Sequence, residues 1–398
     1  MKTECAFIAA MLLLVYSCRP AAEQSWLPRS APLTADRIDI EGTATPVYMG
    51  GYGSSISFNP QDSSFYILTD RGPNVDGTTD ESKIFPVPDY TPSIGKFKLI
   101  GDSLVRVERI TLKDSNGTPF NGLPNTEGDG VTGETAYNLA GEVITHSVTG
   151  IDTEGMAMAP DGTFWVSDEY GPFVMQFDRT GKLLRHMSPS QGLPHYYAKR
   201  RPNRGMEGLT ISADGKRLYG IMQSPLYMPD ESTRNVSVNN RILMIDLATG
   251  SFKEYLYQLD SPRNVVSEIT FVNDSTFLVM ERDGKFPEAG KGFKRVFRIG
   301  LGGATDIHNR IIEPLTDAQL QEQGIVPAGK ELFVDILAAI PSYRHDKPEG
   351  IALIGDSILC VVNDDDFGVT STGDGKFTTK TDKQGVHDRS TVYFIRLR

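Results

Sequence analysis

The sequence has little cysteine, little histidine and no excess of positive charge, and each shortage excludes a class of protein. Three cysteines occur among 398 residues, and this length with so few cysteines excludes a small disulfide-stabilised scaffold. Acidic residues number 51 and basic residues 40, so the net charge is −11. This balance argues against a nucleic-acid partner, because binding phosphates needs a basic face. An acidic chain is better suited to binding cations.

Several catalytic signatures are also missing. The sequence contains no Gly-x-Ser-x-Gly elbow, no phosphate-binding Walker loop, no dinucleotide fingerprint after a strand and no His-x-x-x-His zinc pair. The histidines are scattered singly along the chain. A serine hydrolase is therefore disfavoured.

The apolar run near the N-terminus is too short to span a membrane. Residues 6–15 are apolar and follow Lys2, which is typical of a secretory signal peptide with a short hydrophobic region. We predict a signal peptide over residues 1–17 and export of the protein. The alternative is an ordinary signal peptide that is cut near Ala21.

The segment Val15-Tyr16-Ser17-Cys18 resembles a bacterial lipoprotein cleavage box, in which a small residue precedes the cysteine that receives lipid. We therefore predict lipidation at Cys18 and a tether over residues 18–35, which are rich in Pro, Ala and Ser. The expected product is a membrane-anchored lipoprotein that faces the periplasm or the cell exterior and touches the membrane only through its lipid. Cys360 then remains without a disulfide partner, and we interpret it as a small buried hydrophobe.

A repeated strand pattern organises the rest of the chain. Each copy has a small or acidic residue with glycine, four or five alternating apolar positions, a Gly/Asp/Asn turn, and a second apolar strand that ends near an acidic residue. Alternation of period two with this turn chemistry predicts strands. The copies begin at residues 53, 153, 206, 267 and 348.

Repeated four-stranded antiparallel units at spacings of about 50 to 100 residues predict an all-β fold, a β-propeller. We expect a single domain over residues 36–398 and a monomer. Six blades are expected because the stretch between the first two copies has room for a weak sixth unit, and five is the alternative. Residues 391–398 and 37–40 are expected to pair the two ends of the chain within one blade, which would leave no open edge.

Four glutamates share one position in these copies: Glu154, Glu207, Glu268 and Glu349 each open an innermost strand. In a propeller they would meet at one end of the central channel, where two charges about 6 Å apart repel by about 3 kcal/mol at an effective dielectric of about 20. Such a ring must be protonated, hydrogen-bonded or occupied by a cation. Oxygen ligands suit Ca²⁺ best. A metal site, a structural latch between blades and direct contact with substrate all remain open.

Acidic residues also gather where second strands end. Asp168, Glu169 and Tyr170 precede a rigid Gly-Pro pair and are candidate catalytic residues, because consecutive carboxylates can bind a cation or act as base and acid. A comparable run, Asp364 to Asp366, is better explained as a solvated loop.

Basic residues lie near two of the glutamates. Arg204 precedes Glu207, while His345 and Lys347 precede Glu349. Arginine forks bind phosphate or carboxylate in a bidentate manner. The candidate residues for binding a small anionic substrate are Arg71, Arg204, His345 and Lys347. The alternative is that these bases form ion pairs with the acids.

The run from Asp152 to Pro172, with Thr69 to Asn74 before it and Asn203 to Leu209 after it, resembles the phytase-like family, also described as esterase-like activity of phytase. The resemblance extends from about residue 40 to residue 398 and implies an exported propeller that hydrolyses phosphoester or ester bonds. The segment Glu268-Ile269 departs from the Glu-Gly of the other copies. The matching positions are Asp70, Arg71, Glu154, Asp168, Glu169, Tyr170, Arg204 and Glu207.

Two hypotheses follow. In the first, the protein is a metal-assisted hydrolase: Ca²⁺ is held by the glutamates, Arg71 and Arg204 bind the anion, and Asp168 or Glu169 activates water. In the second, it is a non-catalytic, lipid-anchored propeller that binds a ligand or a partner.

Overall fold

The computed structural model describes residues 27–79, 81–145, 149–288 and 291–397. The predicted signal peptide and the predicted lipidation site at Cys18 lie outside the described residues. None of the helices within these ranges has the length and apolar character that a membrane span requires. Cys360 is a free thiol, and it is fully buried in apolar surroundings, as expected.

Strands dominate the structure. In chain order they are β1 (Ser30–Pro32), β2 (Asp36–Ile38), β3 (Val47–Met49), β4 (Tyr52–Asn59), β5 (Ser64–Thr69), β6 (Val75–Asp76), β7 (Ser82–Ile84), β8 (Ser93–Ile100), β9 (Ser103–Thr111), β10 (Thr135–Tyr137), β11 (Thr153–Met158), β12 (Phe164–Asp168), β13 (Val174–Phe177), β14 (Leu183–Met187), β15 (Met206–Ile211), β16 (Arg217–Met222), β17 (Asn239–Asp246), β18 (Phe252–Gln258), β19 (Val265–Asn273), β20 (Thr276–Arg282), β21 (Lys294–Gly300), β22 (Gly329–Asp335), β23 (Pro348–Ile354), β24 (Ile358–Asn363), β25 (Val369–Ser371), β26 (Phe377–Thr379) and β27 (Thr391–Arg396). Two short helices, α1 (Asp317–Glu322) and α2 (Ile336–Ala339), lie on either side of β22.

Five four-stranded antiparallel sheets form the blades of a β-propeller. Blades 1 to 5 are β4-β5-β8-β9, β11-β12-β13-β14, β15-β16-β17-β18, β19-β20-β21-β22 and β23-β24-β27-β1. Their first strands lie side by side in a closed ring, because each contacts the next and β23 contacts β4. The predicted all-β propeller is thus confirmed, with the first strands around the central channel.

The sixth blade that we expected is not among the described residues. β6, β7 and β10 instead form a three-stranded sheet in which β7 and β10 run parallel. β6 and β7 are an insertion between the second and third strands of blade 1, and β10 follows that blade. The long segment before the second repeat therefore supplies a wall beside the propeller and not a further unit of it.

The two ends of the chain pair within blade 5, as predicted, but through a different N-terminal segment. β1 pairs antiparallel with β27, so that Ala31 lies opposite Val392. The expected partner near Arg37 belongs to β2, which pairs with β3. Because Leu27 and Leu33 are also buried, the propeller begins before residue 36 and includes part of the predicted tether.

Buried apolar clusters fill the five interfaces between neighbouring blades. Tyr66 of blade 1 packs against Phe164 of blade 2, and Tyr219 of blade 3 packs against Phe277 of blade 4, with ring centroids 5.4 and 4.6 Å apart. Burying one such side chain contributes about 1.5 to 3 kcal/mol. The blades are therefore held as one ring, which fixes the loops at its mouth.

Candidate metal and anion site

A polar cavity of about 570 Å³, here called the mouth cleft, opens where the inner strands begin. It receives side chains from all five blades and from the insertions beside them. Its charged and amide side chains include Asp70, Arg71, Asp152, Glu154, Glu169, Arg204, Glu207, Gln223, Arg282, Lys347, Glu349, Asp364 and Asp366.

Three of the four predicted glutamates, Glu154, Glu207 and Glu349, reach the cleft because the inner strands bulge where they stand. The pairing register shifts at each of these positions, and a β-bulge redirects a side chain. The glycine that follows each glutamate permits close packing of inner strands. A Cβ atom on Gly208, for example, would lie 2.6 Å from the backbone nitrogen of Ile269.

Glu268 does not occupy the position that the other three glutamates share. It lies one residue further along its strand, so the predicted alignment of the repeats is wrong by one residue at this blade. Glu268 lies opposite Met280, as Gly208 lies opposite Ile221 in the preceding blade. Glu268 thus stands where the other copies have glycine, and Ser267 stands where they have glutamate. The Glu-Ile departure noted in the sequence reflects this shift.

Glu268 acts as a latch below the cleft and does not line it. Its carboxylate accepts hydrogen bonds from the Ser55 hydroxyl and from the backbone N–H groups of Leu209 and Ile269, the latter two at 3.3 and 2.9 Å. Ser55 Oγ in turn accepts the N–H of Met156 at 3.1 Å. Burial raises the pKa of Glu268 well above its usual range. One buried carboxyl group therefore connects inner strands across the channel.

A group of carboxylates with the geometry of a metal site lies above this latch. Asp152, Glu154 and Glu169 each offer an oxygen atom within 4.8 Å of the others. Burial, reinforced by the neighbouring Glu207, raises the pKa of both Glu154 and Glu169. Ca²⁺ prefers oxygen ligands, and a cation bound here would relieve the repulsion among these carboxylates. Asp152 was not among the residues predicted from the sequence.

A second ring of side chains stands at or just after the ends of the second strands. Its members are Asp70, Glu169, Gln223, Arg282 and Asp364. Gln223 was also missed in the sequence, although it holds the same place after β16 that Glu169 holds after β12. Its amide donates to Glu169 at 2.5 Å and to Glu207 at 2.7 Å. Burial and the nearby Glu349 raise the pKa of Glu207 to about 8.

Of the three predicted catalytic residues, only Glu169 lines the cleft. Asp168 is fully buried and accepts the N–H groups of Asp152 at 2.6 Å and Gly171 at 2.8 Å. Burial raises the pKa of Asp168 to about 8. Its position indicates that it shapes the loop that carries Glu169.

Tyr170 and Arg71 support the cleft from within. The Tyr170 hydroxyl donates to the Gly122 carbonyl at 2.9 Å and accepts from Arg71 at 3.1 Å. Arg71 also forms ion pairs with Glu134 at 2.8 Å and Asp152 at 3.5 Å. Arg71 is thus fixed by internal partners, and Tyr170 does not reach the cleft.

Arg204 is the arginine best placed to bind an anion. Within the described part of the chain, its guanidinium has neither an ion pair nor a hydrogen bond, although it lines the cleft. Burial lowers its pKa, an effect that nearby Glu169 and Glu207 oppose. Arg282, in contrast, donates to Glu349 and to Ser267.

Lys347 lines the cleft, and its ammonium lies between Asp364 and Asp366. The sequence predicts that these two aspartates belong to a solvated loop. The Lys347 ammonium lies 2.6 Å from Asp366 and 3.3 Å from Asp364. Asp364 is buried and both aspartates line the cleft. Asp364 and Asp366 are therefore part of the site.

His345 lies behind the cleft and not in its wall. Its Nδ1 atom bonds to Asp388, and its Nε2 atom is 2.8 Å from the Tyr393 hydroxyl. The ring is almost fully buried. Because both nitrogens are occupied, the expected contact with substrate is replaced by an internal one.

Comparison with known proteins identifies relatives of the chain. The family model described as Phytase-like, esterase-like activity of phytase, matches residues 47–367. An uncharacterized secreted protein of the fungus Arthroderma benhamiae is 28% identical over 320 residues, which covers 63% of this chain and 62% of that protein. The chain thus spans less than two thirds of that relative's length.

Solved structures show more distant similarity. The PQQ-bound aldose sugar dehydrogenase of Streptomyces coelicolor is 13% identical, with a TM-score of 0.36, and the match covers 91% of this chain and 88% of that one. A luciferin-regenerating enzyme is 10% identical, with a TM-score of 0.38 and coverage of 90% and 95%. A protein from Lactobacillus plantarum is 13% identical, with a TM-score of 0.36 and coverage of 90% and 91%.

Proposed function

Because the chain belongs to the phytase-like family, we propose that it is an exported hydrolase that cleaves phosphoester or ester bonds at the mouth cleft with the help of a bound metal ion. The observation that supports this most directly is the convergence of Asp152, Glu154 and Glu169 beside the unpaired Arg204. The predicted signal peptide and the secreted relative support export. Anchoring through a lipid on Cys18 is part of the same proposal.

The carboxylates fit Ca²⁺ because they offer only oxygen atoms and carry raised pKa values that a cation would lower. Asp152, Glu154 and Glu169 would hold the ion. When bound, such an ion polarises the carbonyl or phosphoryl oxygen of the substrate.

The chain's own residues supply the remaining roles. Arg204 binds the anionic group of the substrate with its unpaired guanidinium. Arg71 orients Asp152 through the ion pair between them. The Glu207 carboxylate accepts a proton from the attacking water, because a group whose pKa is about 8 is suited to act as a general base near neutral pH. Gln223 holds Glu207 in place.

A non-catalytic propeller that binds a ligand is the second candidate. It is favoured by the burial of Asp168 and Tyr170, two residues expected in catalysis, in contacts that maintain the fold. In that case the same cleft would hold a cation and an anion without turnover.

A hydrolysis panel separates the two candidates. Phytate, aryl phosphates, aryl esters and lactones are offered to the chain from Leu27 onward, with Ca²⁺ or with a chelator. We expect turnover that is lost with chelator and reduced at least about a hundredfold in Glu154→Gln and Glu207→Gln, since each removes a group that acts in the transition state. Glu268→Gln is the matched control and should remain active. Turnover that survives both chelation and substitution would exclude the metal-assisted mechanism, and no turnover on any substrate would favour the binding module.

A further inference from the structure

A second layer of charged side chains lies directly behind one wall of the mouth cleft. Its centre is Lys380, which is almost fully buried. The Lys380 ammonium lies 2.7 Å from Asp366, 2.9 Å from Asp346 and 3.2 Å from Asp388. A buried lysine among three carboxylates is costly to assemble, because each ion must leave water. No step of the proposed hydrolysis uses it.

Asp366 connects this layer to the cleft. One of its carboxylate oxygens accepts from Lys380, and the other accepts from Lys347 at 2.6 Å. Burial alone would raise the pKa of Asp366, but Lys347 and Lys380 together hold it below its usual range. Asp366 thus lies as an anion between two cations, only one of which lines the cleft.

The backbone at this point is strained in a way that aims Asp366 at both lysines. Asp366 and Phe367 have φ values of 49° and 56°, in the left-handed region that residues with a side chain rarely adopt. The ring centroids of Phe367 and Tyr90 are 5.1 Å apart, and the Phe367 ring fills the space that a side chain on Gly51 would need. Two left-handed residues in succession persist only where the surroundings enforce them.

The far side of Lys380 is fixed as well. Asp388 forms an ion pair with Lys380 and a hydrogen bond with His345, and His345 in turn contacts the Tyr393 hydroxyl of β27. The chain of contacts therefore runs from blade 5 through Asp388 and Lys380 to the cleft wall. This arrangement explains why His345 is buried although Lys347, two residues further along the chain, lines the cleft.

We propose that Lys380 is a positioning residue for Lys347: acting through Asp366, it holds the Lys347 ammonium at the cleft wall, where that ammonium binds an anionic group such as a phosphate. The inference rests on the proposed function only for the anionic nature of the ligand. Without Lys380, Asp366 faces Asp346 and Asp388 with no cation between them, so the strained turn would relax and Lys347 would lose its anchor.

The test measures binding of inorganic phosphate by calorimetry to the calcium-loaded chain, at phosphate levels below precipitation. We expect Lys347→Met to weaken binding about tenfold, the loss typical of one charge-assisted hydrogen bond. Lys380→Met should weaken it by a similar factor. The double variant should lose about tenfold and not about a hundredfold, because both residues act through the same ammonium.

Two further variants separate positioning from general damage. Lys380→Arg should retain phosphate affinity within about twofold, since a guanidinium also bridges carboxylates. Lys330→Met is the matched control: Lys330 also contacts three acceptors, Gln258, Asp260 and Glu281, none of which lines the cleft. It should lose stability but keep its phosphate affinity. If Lys380→Met does not fold, Asp366→Asn replaces it in the double-variant comparison with Lys347→Met.

Any of four results would overturn the proposal: no phosphate binding to the unaltered chain, unchanged affinity in Lys380→Met, additive losses in the double variant, or an equal loss in Lys330→Met. The outcome is separable from that of the hydrolysis panel. Phosphate binding with the expected pattern but no turnover would leave this inference standing and remove the hydrolase. Turnover by the unaltered chain, together with unchanged phosphate affinity in Lys380→Met, would support the hydrolase and exclude the positioning role of Lys380.

Discussion

A shift of one residue along a strand decides whether a carboxylate belongs to the site or to the fold. Glu207 stands in a bulge and lines the mouth cleft, whereas Glu268 stands one register position further along and crosses the channel below it. Both are buried and both have raised pKa values. The difference lies in their partners: backbone and hydroxyl groups satisfy Glu268, whereas Glu207 accepts from Gln223 and lies near the charged groups Glu349, Arg282 and Arg204.

The latch at Glu268 makes a prediction about stability. A glutamine amide has nearly the same shape as the Glu268 carboxyl: its oxygen can accept the two backbone N–H groups and its N–H can donate to Ser55. Glu268→Gln should therefore change the free energy of unfolding by less than about 1 kcal/mol. Glu268→Ala removes the partner of Ser55 and of two backbone N–H groups and should cost about 2 to 4 kcal/mol. Urea unfolding of the three proteins measures both changes. An equal loss in the two variants would mean that the latch must be charged.

Site residues that recur at the same position of each repeat could be predicted from the sequence. Site residues whose role depends on strand register or on contacts made in the folded structure could not. The Glu-Gly pairs at Glu154, Glu207 and Glu349 mark three real members of the cleft. The sequence places Glu268 one position out of register, because the position of a β-bulge cannot be deduced from the sequence. Gln223 was not predicted because its amide is uncharged and the prediction relied on charged residues. Its position directly after a second strand, the same as that of Glu169, is the signal that could have identified it.

At the scale of strands, the three-residue strand β1 completes blade 5. It covers the edge of β27, which would otherwise expose unpaired backbone groups. Its short segment, Ser30-Ala31-Pro32, has neither the length nor the alternation that a strand prediction requires. Only the neighbouring edge in three dimensions reveals its role, which is why the tether was predicted to extend through it.

Removal of β1 should therefore destabilise the whole propeller. A chain that begins at Thr34 loses the buried Leu27 and Leu33, each worth about 1.5 to 3 kcal/mol, so unfolding should become easier by about 4 kcal/mol. The control is the chain that begins at Leu27. Urea midpoints give the difference, and light scattering should show association through the exposed edge of β27. A truncated chain of unchanged stability would mean that β1 contributes nothing to closure.

The blade count also depended on tertiary context. The segment between the first two repeats contains strand-like runs, but β7 and β10 pair in parallel, whereas neighbouring strands in the five described blades pair antiparallel. Pairing direction depends on how the chain crosses over and is not encoded in alternation of apolar residues. The fold class followed from the repeats because five similar units can bury their faces only by packing in a ring.

At the scale of the whole molecule, the channel is divided by polarity. The mouth cleft gathers carboxylates, while the opposite end of the inner strands presents a ring of apolar side chains: Phe58, Met158, Ile211, Phe271 and Leu353. The latch of Glu268 lies between the two regions. Among the described residues, the carboxylates that could bind a cation in the channel therefore lie at the mouth.

This concentration of buried acids makes stability depend on pH and on calcium together. The pKa of Glu207 is about 8 in the folded chain, against an ordinary value of 4.5, and Glu154 and Glu169 shift in the same direction. Between these values the folded state holds protons that the unfolded state has released, so stability falls as pH rises from about 4.5 to about 8. Carboxylates with lowered pKa values, such as Asp388, act in the opposite sense but are fully ionised in both states above about pH 5.5.

We therefore expect the melting temperature in chelator to fall between pH 5.5 and pH 8, and Ca²⁺ to restore it at pH 8 with little effect at pH 5.5. A cation that binds only the folded state adds stability according to its concentration relative to its dissociation constant, and protonated ligands weaken it at low pH. Glu207→Gln cannot ionise, so its melting temperature in chelator should fall less over the same interval. Scanning calorimetry at the two pH values measures all of these changes. An equal rise in melting temperature with Ca²⁺ at pH 5.5 and at pH 8 would mean that the ion binds away from the carboxylates with raised pKa values. Only ligands that must first lose a proton make the effect of the ion increase with pH.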